Sequence, residues 1–315
     1  MIYSMFKGTG ANHSFDIGSD DNTVVFSADG RGMSGIFLLD LKAGKVSQVV
    51  DSEMHERTPT LSPDLKTVCY SSSQKPMSVG HLYTCGLKGE NIRQLTSDPN
   101  GSDSDPCYTP DGSHILFARA ALIRDYSMGG KMWNDWDIWS LELKTGTQTQ
   151  LTNNKYYEVS APRSSPDGKS VIFTDHIYNK TKSTDDVTSV PIDGSKPPSH
   201  ITEEGDFSGP EVVKHSGDIL FIAMRNSKKR NGGGLFEYEI WKMDRNGKNQ
   251  TEVTQLRTYL SNIRALRSEE TALCLDDPSR NNERNIMRID LKTGKATKIA
   301  GPDLFHNPLK WKPER

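Results

Sequence analysis

The chain carries the sequence Pro106-Cys107-Tyr108-Thr109-Pro110-Asp111-Gly112 shortly before an apolar run, Ile115-Leu116-Phe117. The same phrase recurs as Pro59-Thr60-Leu61-Ser62-Pro63-Asp64 and as Pro162-Arg163-Ser164-Ser165-Pro166-Asp167-Gly168, each followed by its own apolar run. The Pro-Asp pair, with Gly where it is present, supplies the fixed φ and the capped reversal of a tight turn. Recurrence of a turn and an apolar run at about 40–50 residues is typical of a repeat fold built from short strands.

Each copy of the phrase continues in the same way. A second β-type run ends in a Gly-containing turn, as in 138–146, and a Leu-Thr or Ile-Thr pair closes the unit. A unit therefore predicts four strands, a to d, with short a–b and c–d turns. The phrase is degenerate in the first, fifth and sixth units. The approximate bounds of the six units are 13–50, 56–96, 103–152, 159–202, 207–254 and 260–300.

A lone four-stranded sheet cannot bury two apolar faces, so the units must stack on one another. Radial stacking predicts a single all-β domain over 1–315, a six-bladed β-propeller of four-stranded antiparallel blades. Segments 2–6 and 306–311 are predicted as terminal strands at the closure seam. The alternative is a seven-bladed ring with an incomplete closing blade.

The succession Pro-x-x-Ser-Pro-Asp-Gly, Ile-x-Phe, Ile-x-x-x-Asp-Leu-x-x-Gly and Leu-Thr resembles the WD40-like repeats of the TolB family of β-propellers. The resemblance extends from about His13 to Ala300 and concerns the propeller only. The Trp-Asp and Gly-His signatures of true WD40 repeats are absent. The resemblance implies a non-enzymatic scaffold that binds a protein or peptide without a cofactor.

Composition excludes several classes of function. The net charge of −2 gives no electrostatic basis for binding nucleic acid. The longest apolar run, Ile219 to Met224, has the length of a strand, so no membrane span is predicted. The start of the chain lacks the pattern of a signal peptide, which indicates a cytoplasmic protein as the chain stands. A periplasmic or secreted location is expected if the resemblance extends to location.

Short a–b and c–d turns share one face of a propeller, so the longer b–c and d–a connections share the other. Because recognition residues concentrate on variable loops carried by a rigid scaffold, we expect binding on that second face and around its channel mouth. Aromatic and arginine side chains are the usual anchors of interfaces. The candidate binding residues are Arg57, Asp105, Arg124, Tyr126, Trp133, Trp136, Tyr157 and His306.

An enzyme is the competing hypothesis. Oligogalacturonate lyases are propellers with similar repeats that hold a metal through several histidines, and an oligosaccharide would then be the ligand. The chain does not reproduce their clustered histidines, and we predict no catalytic residue and no metal site. A structural module cut from a larger protein is the third hypothesis.

Overall fold

The computed structural model describes residues 14–29, 34–75, 78–125, 131–178, 183–202, 205–224, 237–279 and 283–313. These residues form six four-stranded antiparallel sheets, each built from four strands that are consecutive in the chain. The fold is a six-bladed β-propeller, as the repeats predict.

The strands follow one another blade by blade. Blades 1 and 2 contain β1 (Phe15–Ile17), β2 (Thr23–Ala28), β3 (Gly35–Asp40), β4 (Lys45–Val50), β5 (His55–Leu61), β6 (Thr67–Ser73), β7 (Gly80–Gly86) and β8 (Arg93–Gln94). Blades 3 and 4 contain β9 (Ser102–Tyr108), β10 (His114–Asp125), β11 (Lys131–Glu142), β12 (Gln148–Gln150), β13 (Glu158–Ser164), β14 (Ser170–Tyr178), β15 (Ser183–Pro191) and β16 (Ser199–His200). Blades 5 and 6 contain β17 (Phe207–Val212), β18 (Ile219–Met224), β19 (Tyr238–Met243), β20 (Thr251–Glu252), β21 (Tyr259–Ala265), β22 (Thr271–Asp277), β23 (Asn285–Asp290) and β24 (Ala296–Ala300).

The first strand of each blade is the innermost. Each of these strands contacts the first strands of both neighbouring blades, which closes a ring from β1 through β21 and back to β1. The fourth strand of each blade pairs with the third at the outer edge. The inner strands therefore line a central channel. We call the end that carries the b–c and d–a connections the loop-rich face, and the end that carries the a–b and c–d turns the turn face.

Five of the inner strands contain a β-bulge at the same place. In β9, Asp105 and Pro106 together stand opposite Phe117 of β10, and Asp105 has a φ of 51°. The first proline of the repeated phrase is thus the second bulge residue, where a missing backbone N–H is tolerated. The other left-handed bulge residues are Thr58, Ala161, Gly209 and Asn262.

The second half of the phrase forms the a–b turn. Ser165 Oγ donates a hydrogen bond to Asp167 Oδ1 at 2.6 Å and accepts one from Ser170 N at 2.9 Å, and Gly168 has a φ of 69°. Thr109 and Asp111 form the same turn in blade 3, where hydrogen bonds from Thr109 and Ser113 lower the pKa of Asp111 to about 2. The turn chemistry is local, which is why it can be read from the sequence.

The closing Leu-Thr or Ile-Thr pair has a separate structural role. Thr152 Oγ1 accepts the hydrogen bond of Ile138 N in the third strand at 2.9 Å and donates to Asp137 Oδ1 at 2.7 Å. Thr254 does the same for Ile240 N and Glu239 Oε2. A buried hydroxyl thus satisfies a backbone donor where the short fourth strand has ended.

Apolar packing lies between the blades. The described residues form six hydrophobic clusters, and each contains side chains from two adjacent blades. Phenylalanines opposite the bulges, such as Phe117, Phe173 and Phe221, are fully buried in these clusters. The blades therefore stabilise one another, as expected of repeats that cannot bury their faces alone.

The C-terminal segment closes the junction of blades 1 and 6 with helical turns. The prediction of a strand at 306–311 is wrong, because α1 (Asp303–His306) and a 3₁₀ turn (Pro308–Lys310) occupy this stretch. Leu304 and Phe305 are fully buried between the two blades, and the Phe305 ring packs edge-on against Phe26. The predicted strand at 2–6 lies outside the described residues.

Replacement of Phe305 by Ala is expected to lower the free energy of unfolding by about 3–5 kcal/mol, because it leaves a cavity in the seam. Leu309→Ala is the matched control, since Leu309 is 60% exposed and its truncation is expected to change stability by less than about 0.5 kcal/mol. Chemical denaturation measures both values. Equal losses in the two variants would show that α1 does not stabilise the seam.

Candidate functional site

Six side chains, one from each inner strand, project into the channel from equivalent positions. They stand directly after the bulge in five strands and at the corresponding place in β1, and they line a cavity of about 190 Å³ together with the turn prolines Pro63 and Pro110. We call this set the channel ring. Its members are Asp16, Thr60, Cys107, Arg163, Glu211 and Arg264.

The channel ring is a network of paired charges. Arg264 Nε donates to Asp16 Oδ1 at 2.9 Å, and Arg163 Nε lies 3.3 Å from Glu211 Oε2. Thr60 Oγ1 donates to Asp16 Oδ2 at 2.7 Å, so Asp16 joins blades 1, 2 and 6. Two arginines and two carboxylates leave the ring electrically balanced. Burial raises the pKa of Glu211, and the charges of Arg264 and Arg163 oppose that shift.

The channel ring was missed by sequence reasoning, although a signal for it exists. Thr60, Cys107, Arg163 and Glu211 each follow the first proline of their repeat. Once that proline is recognised as a bulge residue, the next side chain is expected to face the channel. The cavity lies toward the turn face, whereas the predicted site lies at the opposite end.

At the loop-rich end of the channel, blade 2 presents two basic side chains that have no acidic partner among the described residues. Arg57 Nη2 lies 3.2 Å from His55 Nδ1, and both residues belong to β5. Arg57 Nε and His55 Nε2 are buried and make no hydrogen bond. Burial lowers the pKa of Arg57, and burial followed by the charge of Arg57 lowers the pKa of His55.

Blade 4 contains a serine, histidine and carboxylate in sequence at the same end. Ser160 Oγ lies 3.2 Å from His176 Nε2, and His176 Nδ1 lies 2.6 Å from Asp185 Oδ1. Burial alone would lower the pKa of His176, but the hydrogen bond and charge of Asp185 raise it. The backbone N–H of Ala161, next to Ser160, is directed at Asp105 Oδ2 at 3.5 Å. A developing oxyanion would meet this carboxylate, so we assign the three groups a structural role that joins β13 to the b–c hairpin.

Besides Arg57, the structure places Asp105 and Tyr157 on or just before inner strands, and Trp133 and Trp136 on β11 in the blade 3 hairpin. Asp105 is a bulge residue of β9, and burial raises its pKa against the opposing charge of Arg163. Trp133 is 8% exposed, and Trp136 packs partly buried on the cluster between blades 3 and 4. Tyr157 is partly buried just before β13.

The other predicted residues are placed differently. Arg124 is the second-last residue of β10, and Tyr126 lies outside the described residues. The sequence predicted His306 on an inner strand, and this prediction is wrong, because His306 is the last residue of α1. Its Nδ1 lies 2.9 Å from Asp29 Oδ2. Burial of Leu304 and Phe305 in the seam sets that position.

Among the residues that the structure describes, no group of three or more His, Cys, Asp or Glu side chains has an arrangement that could hold a metal ion. Over the same residues, no helix has the length and apolarity needed to cross a bilayer.

No family model matches the chain. Two curated relatives are Tol-Pal system proteins TolB. The one from Campylobacter jejuni (strain RM1221) is 34% identical over 116 residues, which are 36% of this chain and 27% of the relative. The one from Francisella tularensis subsp. tularensis (strain WY96-3418) is 22% identical over 220 residues, 56% of this chain and 47% of the relative. The matches thus span a quarter to a half of the length of these relatives.

Solved structures share the fold. TolB from Acinetobacter baumannii superposes with a TM-score of 0.67 at 16% identity, covering 90% of this chain and 64% of that chain. Oligogalacturonate lyase from Vibrio parahaemolyticus superposes with a TM-score of 0.63 at 13% identity, covering 93% and 80%. At these identities the likeness concerns the fold alone.

Separate replacement of Asp16 by Asn and Arg264 by Met is expected to lower the free energy of unfolding by about 3–5 kcal/mol each, because each leaves one largely buried charge without its nearest partner. The double variant is expected to lose clearly less than the sum, since it removes both charges. Urea denaturation of all four proteins gives the coupling energy. Additive losses would contradict direct pairing of Asp16 with Arg264.

The pH dependence of stability is expected to contain a contribution from Glu56, which is 2% exposed and whose pKa burial raises from 4.5 to about 7. Between these two pH values the Glu56 carboxyl is ionised in the unfolded chain but keeps its proton in the folded chain. The free energy of unfolding therefore falls as pH rises, by roughly 3 kcal/mol in all, and none of this contribution remains above pH 7.

Glu56→Gln tests this contribution, because the variant cannot titrate. Its free energy of unfolding relative to the unsubstituted protein is expected to rise from pH 5 to pH 8 in denaturation series. Glu53→Gln, at an exposed position three residues earlier, is the control. A pH-independent difference between Glu56→Gln and the unsubstituted protein would contradict the assignment.

Proposed function

We propose that this chain, a TolB-like β-propeller, binds a protein or peptide partner with its loop-rich face. The relatives are named as proteins of the Tol-Pal system, which supports a partner of that kind and a periplasmic location. Because the matched regions cover only part of those relatives, the partner and the location belong to the proposal.

The observation that carries this proposal is the unequal height of the blades on the loop-rich face. The hairpin of β10 and β11 has 12 residues in each strand, and that of β14 and β15 has 9. The second and third strands of the other blades have 6 or 7. Five extra residues extend the strands of blade 3 by roughly 16 Å, and two or three extra residues extend those of blade 4 by roughly 7–10 Å. Blades 3 and 4 therefore form a wall beside the channel mouth, against which a partner can be held.

The aromatic residues of this wall divide into two roles under the proposal. Trp136 packs on the cluster between blades 3 and 4 and holds the hairpin against blade 4, and Trp133 is buried. Contact with the partner is proposed for Arg124 and Tyr126, together with Tyr157 just before β13 and Asp105 in β9. Rigid support beneath a contact tip reduces the entropy lost on binding.

The lyase hypothesis rests on likeness of fold, because the oligogalacturonate lyase is only 13% identical to this chain. No contact among the described residues favours it specifically.

Site-specific photo-crosslinking tests the choice of face. A crosslinking amino acid at Lys155 or Arg257, both exposed in d–a connections, is expected to capture the same partner in cells. Lys144 and Lys292 are the matched controls, because they are exposed on c–d turns of the same blade 3 and blade 6 but lie on the turn face. Mass spectrometry identifies the adducts.

The two faces make the outcome decisive. Adducts to one discrete protein from the loop-rich positions and none from the turn positions would support the proposal. Adducts from the turn face alone, or equal adducts from all four positions, would overturn it.

A further inference from the structure

The start of β5 has two buried hydrogen-bond donors that lack an acceptor. Arg57 makes one side-chain contact, from Nη2 to His55 Nδ1 at 3.2 Å, and its Nε is buried and unpaired. Among the described residues, no carboxylate forms an ion pair with Arg57, and burial lowers the pKa of its guanidinium. A buried guanidinium is ordinarily found with a carboxylate partner.

The contact between the two side chains fixes the state of His55. A guanidinium has only donors, so Arg57 Nη2–H donates and His55 Nδ1 accepts. The proton of the neutral imidazole therefore resides on Nε2, and the adjacent positive charge disfavours a second proton. His55 is 6% exposed and its Nε2 has no acceptor. Arg57 and His55 are thus both donors on the same side of one strand, two residues apart.

The neighbouring residue on β5 does not act as the counter-ion. Glu56 lies between the two donors in sequence, so its side chain points to the other side of the strand. Its Oε1 accepts a hydrogen bond from Ser52 Oγ at 2.5 Å. Burial raises its pKa to about 7, which weakens its negative charge.

In blades 2 to 6, Arg57 is the only large side chain at its level of the inner strands. The residue just before the bulge is Arg57 in β5, and it is a serine in blades 3 to 6. These serines are Ser104, Ser160, Ser208 and Ser261. Arg57 is only partly buried, so part of its side chain stays accessible, and this one blade supplies a positive charge among small hydroxyl groups.

We propose that Arg57 and His55 form a carboxylate-binding site at the loop-rich end of the channel, and that it takes a carboxylate of the partner peptide. The planar guanidinium and the imidazole N–H match the two oxygens of this anion. The assignment of the carboxylate to a peptide rests on the proposed function, whereas the existence of the anion site does not. An acidic side chain and a free C-terminus offer the same group.

Acetate, the carboxylate alone, tests the site directly. At constant ionic strength, replacement of chloride by acetate is expected to shift the Arg57 Nε–H and His55 Nε2–H proton resonances in a saturable manner. Arg57→Met assigns the first signal and is expected to abolish the shift of the second. Absence of any acetate-dependent shift, or its persistence in Arg57→Met, would overturn the site.

Two acetylated peptides then distinguish the sources of the carboxylate. One carries an aspartate and an amidated C-terminus, and the other carries asparagine and a free C-terminus. Binding of either peptide, measured by the same resonances, is expected to weaken by at least about tenfold in Arg57→Met, since a charge-assisted pair is lost. Arg93→Met, which removes an exposed arginine from the outermost strand of the same blade, controls for net charge and is expected to leave affinity unchanged within about twofold.

Thermal unfolding separates a binding role of Arg57 from a structural one. Arg57→Met removes a partly buried charge that has no acidic partner among the described residues, and it also removes one hydrogen bond to His55. Because these two effects oppose each other, the free variant is expected to melt at nearly the same temperature or higher. A fall of several degrees would overturn the proposal by showing that Arg57 stabilises the fold.

The outcomes separate this inference from the proposed function. Peptide binding of equal strength in Arg57→Met would overturn the site and leave the crosslinking test untouched. Arg57-dependent binding of acetate and a uronate oligosaccharide, with neither peptide bound, would confirm the anion site and overturn the peptide assignment.

Discussion

Five of the six inner strands contain a bulge, at which one residue with left-handed backbone geometry lengthens the strand by one residue and changes the direction of the side chains that follow. In blades 2 to 6 this places the side chain after the bulge in the channel ring and sets an aromatic or apolar side chain of the second strand opposite the bulge. Thr58 is a β-branched residue at a φ of 46°, which is unfavourable for its type. Its Oγ1 interacts with Ser71 Oγ and with the backbone N of Asp105, so contacts with its own blade and the next maintain the geometry.

The two ends of the channel differ in how their charges are satisfied. At the turn face, the arginines and carboxylates of the channel ring pair with one another across blades 1, 4, 5 and 6. At the loop-rich face, Arg57 and His55 retain donors without acceptors. A satisfied network holds the blades at fixed distances, whereas unsatisfied donors raise the free energy of the unliganded state and gain most from a ligand. The same inner strands thus carry a paired charge network at one end and the proposed binding site at the other.

Local chemistry explains how much of this structure could be predicted from the sequence. The Pro-Asp-Gly turns, the apolar runs and the strand count are encoded within a few residues, so the six-bladed fold could be predicted. The pairing of Asp16 with Arg264 joins residues 248 apart in the chain, and no local pattern encodes it. Segment 306–311 was predicted as a strand because Leu309 and Trp311 alternate with polar residues. Helical turns of three or four residues are too short to show a period, and Pro308 begins the second of them.

The closure of the ring follows from the same contrast between local and distant interactions. Each blade consists of four consecutive strands, so no strand is exchanged between the first and last blades in the described chain. The junction must then be held by side chains, and β1, with three residues, offers little backbone to it. Phe305 and Leu304 supply apolar area from beyond the last strand, and the backbone carbonyl of Phe305 accepts a hydrogen bond from Asp29 N at 2.8 Å. Blade 1 leads into the strand that carries Arg57, so tight packing at this seam fixes the position of the blade next to the proposed carboxylate site.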